Sequence, residues 1–91
     1  MKDASSLAID LKNAVSRGHE DNFTCLLFRL LLKADSDNTA KLALGFPIEA
    51  RMIEIYRTRC VYLSELDSGG FRKVDFTGIA ITAIVEIEAG Q

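Results

Sequence analysis

A single ten-residue run, Phe23 to Leu32, limits what this chain can fold into more than any other stretch. Eight of its ten residues are apolar, and only Thr24 and Arg29 interrupt them. A helix that crosses a bilayer needs about 20 apolar residues, so this run is too short to span a membrane. A helix with apolar side chains on nearly every side has to be covered on nearly every side. We therefore expect the run to be shielded by other helices of a small domain or by a second copy of the chain.

The size and composition of the chain are those of a single folded domain. It has 91 residues, of which 48% are apolar and 26% are charged, a balance typical of globular rather than disordered proteins. We therefore treat residues 1–91 as one domain, whose core is modest because short chains bury a smaller share of their surface. The formal net charge of -2 gives no general attraction to nucleic acid or to anionic lipid.

Cysteine usage indicates the compartment. Cys25 and Cys60 are the only two cysteines. A small secreted domain stapled by disulfides usually has more, and the first residues lack the apolar centre of a signal peptide. We therefore expect a cytoplasmic protein in which both thiols are reduced and serve as packing residues.

Apolar periodicity and polar capping residues predict four helices in the first two thirds of the chain. In the first helix, Leu7 and Leu11 lie on the apolar face, Asp10 falls on the outer polar side, and Ser5 or Ser6 is the candidate cap. The second helix has Asp21 or Asn22 as its candidate cap, and Pro47 suits the first position of the fourth. The predicted bounds are Ser6–Arg17, Phe23–Ala34 and Asp37–Leu44, followed by a helix of about 20 residues from Pro47.

The segment that follows Gly70 fits two structures. Alternate residues from Ile79 to Ile87 are apolar and many are β-branched, as in a strand. An unbroken helical face also runs from Phe76 to Ile87, and Asp75 is placed to cap it. We favour the helix, because the rest of the chain is helical; the alternative is an α+β fold with a strand or hairpin in residues 71–88. The expected fold is a mainly α, compact bundle of four to five helices around the apolar run.

No motif in the sequence indicates an enzyme, a metal site or a cofactor. His19 is the only histidine, which excludes a metal motif with two histidines and leaves an exposed loop residue as the simplest interpretation. Neither a glycine-rich phosphate loop nor a GxSxG nucleophile motif occurs. The acids Asp35 and Asp37 lack the glycine and glutamate partners of a calcium loop, so helix capping explains them. We expect a protein with no catalytic residues, cofactor or metal.

The stretch from Leu30 to Pro47 resembles a segment of small uncharacterised proteins from bacteria and their mobile elements. The recurring elements are a Lys-Ala-Asp, here residues 33–35, an asparagine three residues later, here Asn38, and a Gly-Phe-Pro, here residues 45–47. The similarity covers about a fifth of the chain. The resemblance implies a bacterial or mobile-element origin and carries no activity with it.

Apolar side chains in excess of what a small core requires predict self-association. Obligate dimer interfaces resemble a domain core cut in half, and both the apolar run and the segment Ile79–Ile87 offer such surface. We therefore expect a homodimeric protein–protein interaction or assembly module that makes no membrane contact. The candidate interface residues are Leu26, Phe28, Leu32, Ile81 and Val85.

A locally basic stretch supports one alternative, a regulator that binds nucleic acid. Arginine side chains match the geometry of phosphate oxygens, so a cluster of them is a candidate contact surface. Acids such as Glu54 lie in the same stretch and can pair with arginines three positions away, which makes a solvated helix face the simpler explanation. The candidate nucleic-acid contacts are Arg51, Arg57, Arg59, Arg72 and Lys73.

Overall fold

The computed structural model describes residues 3–16, 21–66 and 74–90, and the side chains of all of these except 59–66. Every regular element in this part of the chain is an α-helix, so the predicted mainly α fold is confirmed. Within the same residues, no helix is both long and apolar enough to cross a membrane. The helices are α1 (Ala4–Val15), α2 (Phe23–Lys33), α3 (Ser36–Gly45), α4 (Pro47–Leu66) and α5 (Phe76–Ala89).

Four of these helices begin at a side chain that caps the first turn. Asn22 accepts a hydrogen bond from the main-chain amide of Cys25 at 2.9 Å, and Asp75 accepts one from Gly78 at 2.9 Å, as predicted for both residues. In α1 the cap is Asp3, which accepts from Ser6, and the prediction of a serine cap is wrong. The helix begins earlier than its apolar face, so Ser5 and Ser6 already belong to its first turn.

The capping carboxylates also explain the acids between α2 and α3. Asp35 accepts a hydrogen bond from the main-chain amide of Asn38 at 2.8 Å and so begins α3 at Ser36. Helix α3 therefore starts one residue before the predicted Asp37. Capping, which the sequence favoured over calcium binding, is the role of Asp35 in the structure.

The C-terminal segment is a helix, and the alternative of a strand or hairpin is wrong for the residues of α5. Its buried side chains, Ile79, Ala80 and Ala83, follow helical spacing. A Cβ at Gly78 would lie 2.5 Å from the Asp75 carboxylate, so a larger residue there would displace the side chain that caps α5. Residues 71–73 of the proposed hairpin lie outside the described residues.

Helices α2 and α5 make little direct contact with each other and are joined through α1 and α4. Helix α1 packs against both α5 and α2, and α4 packs against α5, α2 and α3. Stacking of Tyr56 on Phe76, with ring centroids 6.1 Å apart, joins α4 to α5. Helices α1, α2, α4 and α5 contribute buried side chains to one core. Its largest fully buried side chains are Leu11, Cys25, Phe28, Leu31, Met52, Ile53 and Ile79.

The cap of α1 makes a pH-dependent contribution to stability. Hydrogen bonds from the amide and hydroxyl of Ser6 hold the pKa of Asp3 below its ordinary value of 3.8. A lowered pKa in the folded state means that this stabilisation is present above pH 3.8 and is lost as the pH falls through the lowered pKa. We expect Asp3→Ala to lower the melting temperature at pH 7 and to match the wild type more closely below pH 3.8.

Asp3→Asn is the matched control, because its amide oxygen accepts the Ser6 bond without titrating. The difference in melting temperature between Asp3→Asn and Asp3→Ala should then stay constant with pH. Thermal unfolding followed by circular dichroism between pH 7 and pH 3 measures both differences. If the wild type keeps the same melting-temperature difference from Asp3→Ala at low pH, the ionised Asp3 carboxylate is not the source of the stabilisation.

Candidate interaction surface

Helix α2 presents a row of large apolar side chains to solvent. Phe23 is 67% exposed, Leu26 is 51% exposed and Leu30 is 53% exposed. Their spacing of three and then four residues places them on one helical face. We call these three residues the α2 stripe. The interface prediction included only Leu26 of the three, because a run that is apolar on nearly every side does not mark which face will be exposed.

The other side of α2 lies in the core. Thr24 and Leu27 are nearly inaccessible, and Cys25, Phe28 and Leu31 are fully buried. The expectation that α2 is covered on nearly its whole circumference therefore fails within one subunit. The helix packs mainly against α1 and α4, and two neighbours on one side leave the stripe uncovered.

The apolar surface continues beyond the stripe at both ends of α2. At the N-terminal end the ring of Phe23 packs against Phe46, with centroids 5.7 Å apart. At the C-terminal end, Leu30 and Lys33 line an open groove of about 550 Å³ between α2 and α3. The far wall of this groove includes Lys41 and Leu42. The groove therefore combines apolar side chains with two lysines and with the polar residues Asp35 and Asn38.

A second, smaller apolar row lies on α5. Ile81 is 50% exposed and Val85 is 59% exposed, and their spacing of four residues places them on one face. Helix α5 makes little direct contact with α2, so this row and the α2 stripe lie on different helices that are joined through α1 and α4. The predicted interface residues therefore divide between two separate surfaces.

Two residues of the predicted interface do not lie on an exposed face. Phe28 is fully buried, so its assignment to an interface is wrong. It lies two positions after Leu26, which at roughly 100° per residue places it about 200° around the helix. Leu32 is half-buried and lies about 120° from Leu26, on the flank of α2. Leu26, Ile81 and Val85 are exposed, and their part in an interface stays a prediction.

A buried polar cluster fixes the start of α2 against α1. Asp10 on α1 is only 4% exposed, contrary to the prediction that it lies on the outer polar face. Its carboxylate accepts a hydrogen bond from the side-chain amide of Asn22 at 3.1 Å. The Cys25 thiol lies 3.4 Å from the same carboxylate and 3.6 Å from the main-chain oxygen of Asp10, and donates to this pair. Asn22 also caps α2, so this one residue links the N-terminus of α2 to α1.

The end of α2 is held by an arginine from α4. Arg57 donates to the main-chain oxygens of Leu31 at 3.2 Å and Leu32 at 2.9 Å. These carbonyls belong to the last turn of α2, where the regular helical hydrogen bonds end, and the Leu31 oxygen also accepts from the main-chain amide of Ala34 at 3.3 Å. A cation also interacts favourably with the negative end of the helix dipole. Arg57, predicted as a nucleic-acid contact, therefore has a structural role.

Arg51, another predicted nucleic-acid contact, joins α4 to α5. Its guanidinium pairs with Glu86 on α5 and, at 2.8 Å, with Glu54 on its own helix. Hydrogen bonds from Glu86 and then Glu54 raise the pKa of Arg51 above its ordinary value. The pair of Arg51 with Glu54 was foreseen from their spacing. The side chains of Arg59, Arg72 and Lys73 lie outside the described residues, so the nucleic-acid prediction stays untested.

The described residues contain no group of three or more His, Cys, Asp or Glu side chains that could hold a metal ion. Cys25 is buried, as predicted for a packing thiol. His19 and the Cys60 side chain lie outside what the structure describes.

Comparisons of the chain with protein-family models, with curated proteins and with solved structures find no match. The resemblance of residues 30–47 to small proteins of bacteria and mobile elements therefore stays a prediction.

The Asp10 cluster should contribute measurably to stability. Asp10→Ala removes the acceptor of the buried Cys25 thiol and of the Asn22 amide, so we expect a loss of about 2 kcal/mol in the free energy of unfolding. Asp10→Asn keeps an acceptor oxygen, so its free energy of unfolding should fall by less. Asp37→Ala, at an exposed carboxylate in α3, is the control. Urea unfolding measures all three, and an Asp10→Ala loss no greater than that of Asp37→Ala would contradict this role.

Arg57 gives a second stability prediction. Arg57→Met keeps the aliphatic stem but removes both donors to the last turn of α2, so we expect a loss of about 1 kcal/mol. Lys41→Met removes an exposed cation from α3 and should change stability by less than about 0.5 kcal/mol. Urea unfolding at fixed ionic strength measures the free energy of unfolding of both variants. Equal losses would show that the bonds to Leu31 and Leu32 contribute nothing of their own.

Proposed function

We propose that this protein is a small, non-enzymatic cytoplasmic assembly module that forms a homodimer through the α2 stripe. One observation carries the proposal. Phe23, Leu26 and Leu30 are each more than half exposed, on a helix whose other face lies in the core. The reduced state expected of the two cysteines supports the cytoplasmic assignment.

The cost of leaving this surface in water favours an interface. Burial of a Leu or Phe side chain is worth roughly 1.5–3 kcal/mol relative to its exposed state. Scattered exposed hydrophobic residues are ordinary, but contiguous apolar patches mark sites of association. The stripe continues into Phe46 and into the groove at Leu42, so it forms such a patch.

A second copy of the chain is the partner that needs fewest assumptions. In a twofold dimer the same patch serves both subunits, so a surface has to complement itself. An apolar row satisfies this condition, because Phe and Leu side chains pack against one another without needing a charged or hydrogen-bonding partner. An interface of this kind resembles a domain core cut in half.

The α2 face suits a symmetric contact better than the α5 face does. The α5 row consists of two β-branched side chains and is followed by the exposed acids Glu86 and Glu88. The α2 stripe has three side chains instead of two, one of them aromatic, and aromatic residues are enriched at the centres of interfaces. We therefore assign the dimer contact to α2.

Replacement of one stripe residue tests the proposal. We expect the wild type to be a dimer at micromolar concentration in sedimentation equilibrium. Leu26→Glu should raise the dimer dissociation constant at least about 30-fold, because a charge would replace an apolar side chain at the centre of the contact. Leu44→Glu is the matched control, since Leu44 is 88% exposed on α3 and lies off the stripe.

Ile81→Glu makes the same change on the α5 face and should leave the dimer intact. Circular dichroism of each variant confirms that the helices are retained. A wild type that sediments as a 10.0 kDa monomer at tens of micromolar would overturn the proposal. If Ile81→Glu weakens the dimer and Leu26→Glu does not, the contact between subunits lies on α5 instead of α2.

A further inference from the structure

We infer that α3 is a hinged cover on α4, which detaches and unfolds as a unit while α1, α2, α4 and α5 stay folded. Three properties of α3 support this: its low burial, the backbone at its two ends and the lack of side-chain bonds to its neighbours. None of them involves the α2 stripe, so the cover would operate in a monomer as well as in the proposed dimer.

Helix α3 is anchored by little apolar surface. None of the ten residues that the structure describes in α3 is buried, whereas each of the other four helices has at least three buried residues. From α3, the half-buried Leu42 and Ala43 pack against the core. Elements with few buried apolar contacts are the ones that open locally, because little burial is lost when they separate. Helix α3 is therefore the helix that detaches most readily.

Open grooves border α3 on two sides. The groove of about 550 Å³ lies between α3 and α2. A second groove, of about 400 Å³, lies between α3 and α4, where small residues such as Ala40 and Ala43 face Glu54 and Arg57. Side chains that border a groove lack packing partners on that side, so the dispersion attraction of those partners is missing. Helix α3, which packs mainly against α4, is therefore held loosely even there.

Within the part of the chain that the structure describes, no side-chain hydrogen bond or ion pair joins α3 to another helix. The bond at its start is local, because Asp35 accepts it from the amide of Asn38. Arg57 borders the smaller groove but donates to the α2 carbonyls of Leu31 and Leu32. Movement of α3 therefore leaves in place the contacts that hold α2.

Non-helical residues at both ends of α3 provide the hinges. Ala34 and Asp35 are extended, with ψ angles of 142° and 179°, so α2 and α3 are not one continuous helix. At the other end Phe46 has φ -135° and ψ 63°, and Pro47 then begins α4. The ring of Phe46 packs against Phe23, which holds this hinge to α2. Rotation at these residues can move α3 without disturbing either neighbouring helix.

A detached α3 would lose its helical structure. Isolated helices shorter than about 12–15 residues are marginal in water. The first four residues of α3 are Ser, Asp, Asn and Thr, which are poor helix formers away from a cap. Opening therefore breaks main-chain hydrogen bonds such as those from Thr39 to Asp35 and from Phe46 to Leu42. It also uncovers the α4 side of the smaller groove.

Native-state hydrogen exchange followed by NMR tests the cover in the wild type. Amides of residues 39–46 should be at least about 100-fold less protected than those of Phe28 and Ile53, which lie in the core. Low urea should speed exchange in the core but barely in α3, since a local opening exposes little surface. Protection in α3 equal to that of the core would overturn the inference. A gradient of protection from one end of α3 would also overturn it, because a gradient indicates fraying.

Lys12→Gly, at an exposed position of α1, separates local opening from global unfolding. A glycine within a helix destabilises the folded state, so protection of the Phe28 and Ile53 amides should fall about fivefold. Protection in α3 should not change, because α1 is folded in both the closed and the open form. An equal fall in α3 would show that α3 opens only when the whole domain unfolds, and the cover would be refuted.

Ala40→Gly and Gly45→Ala test whether α3 opens as a unit. Ala40 is exposed, and a Cβ at Gly45 would meet no atom within 4 Å, so neither change disturbs packing. Protection of all amides in residues 39–46 should fall about fivefold in Ala40→Gly and rise about threefold in Gly45→Ala. Changes confined to the amides beside each substitution would contradict opening as a unit.

Discussion

The rotation of α2 about its own axis decides which part of the apolar run is core and which is surface. Hydrogen bonds fix this rotation at both ends. At the start, Asn22 caps the helix and also donates to the buried carboxylate of Asp10. At the end, Arg57 donates to the carbonyls of Leu31 and Leu32. With both ends held, Phe28 points into the core and Leu26 points outward.

The arrangement of the other helices follows from the same rotation. Helices α1 and α4 cover one side of α2, and both also pack against α5. Helices α2 and α5 make little direct contact with each other, so the exposed apolar side chains are divided between two helices. The proposed dimer uses the row on α2.

Local chemistry made several elements predictable. Asn22 and Asp75 are short polar side chains directly before an apolar period, and each caps the helix that follows. Pro47 begins α4, where its missing amide costs no helical hydrogen bond. Asp10 was misplaced because of its polarity, although its spacing of three from Leu7 and four from Ala14 puts it beside the apolar face of α1. Its burial depends on Asn22 and Cys25, which reach it from a different helix.

Sequence by itself determined the helices, the capping residues of α2 and α5, and the presence of more apolar surface than α2 can bury alone. These properties depend on residues within a few positions of one another, so periodicity and capping chemistry reveal them. The tertiary structure alone decided which face of α2 is exposed. A run of eight apolar residues in ten has no polar stripe to mark its outer side. Only the packing of α1 and α4, and the side chains of Asp10 and Arg57, distinguish Leu26 and Leu30 from Phe28 and Leu31.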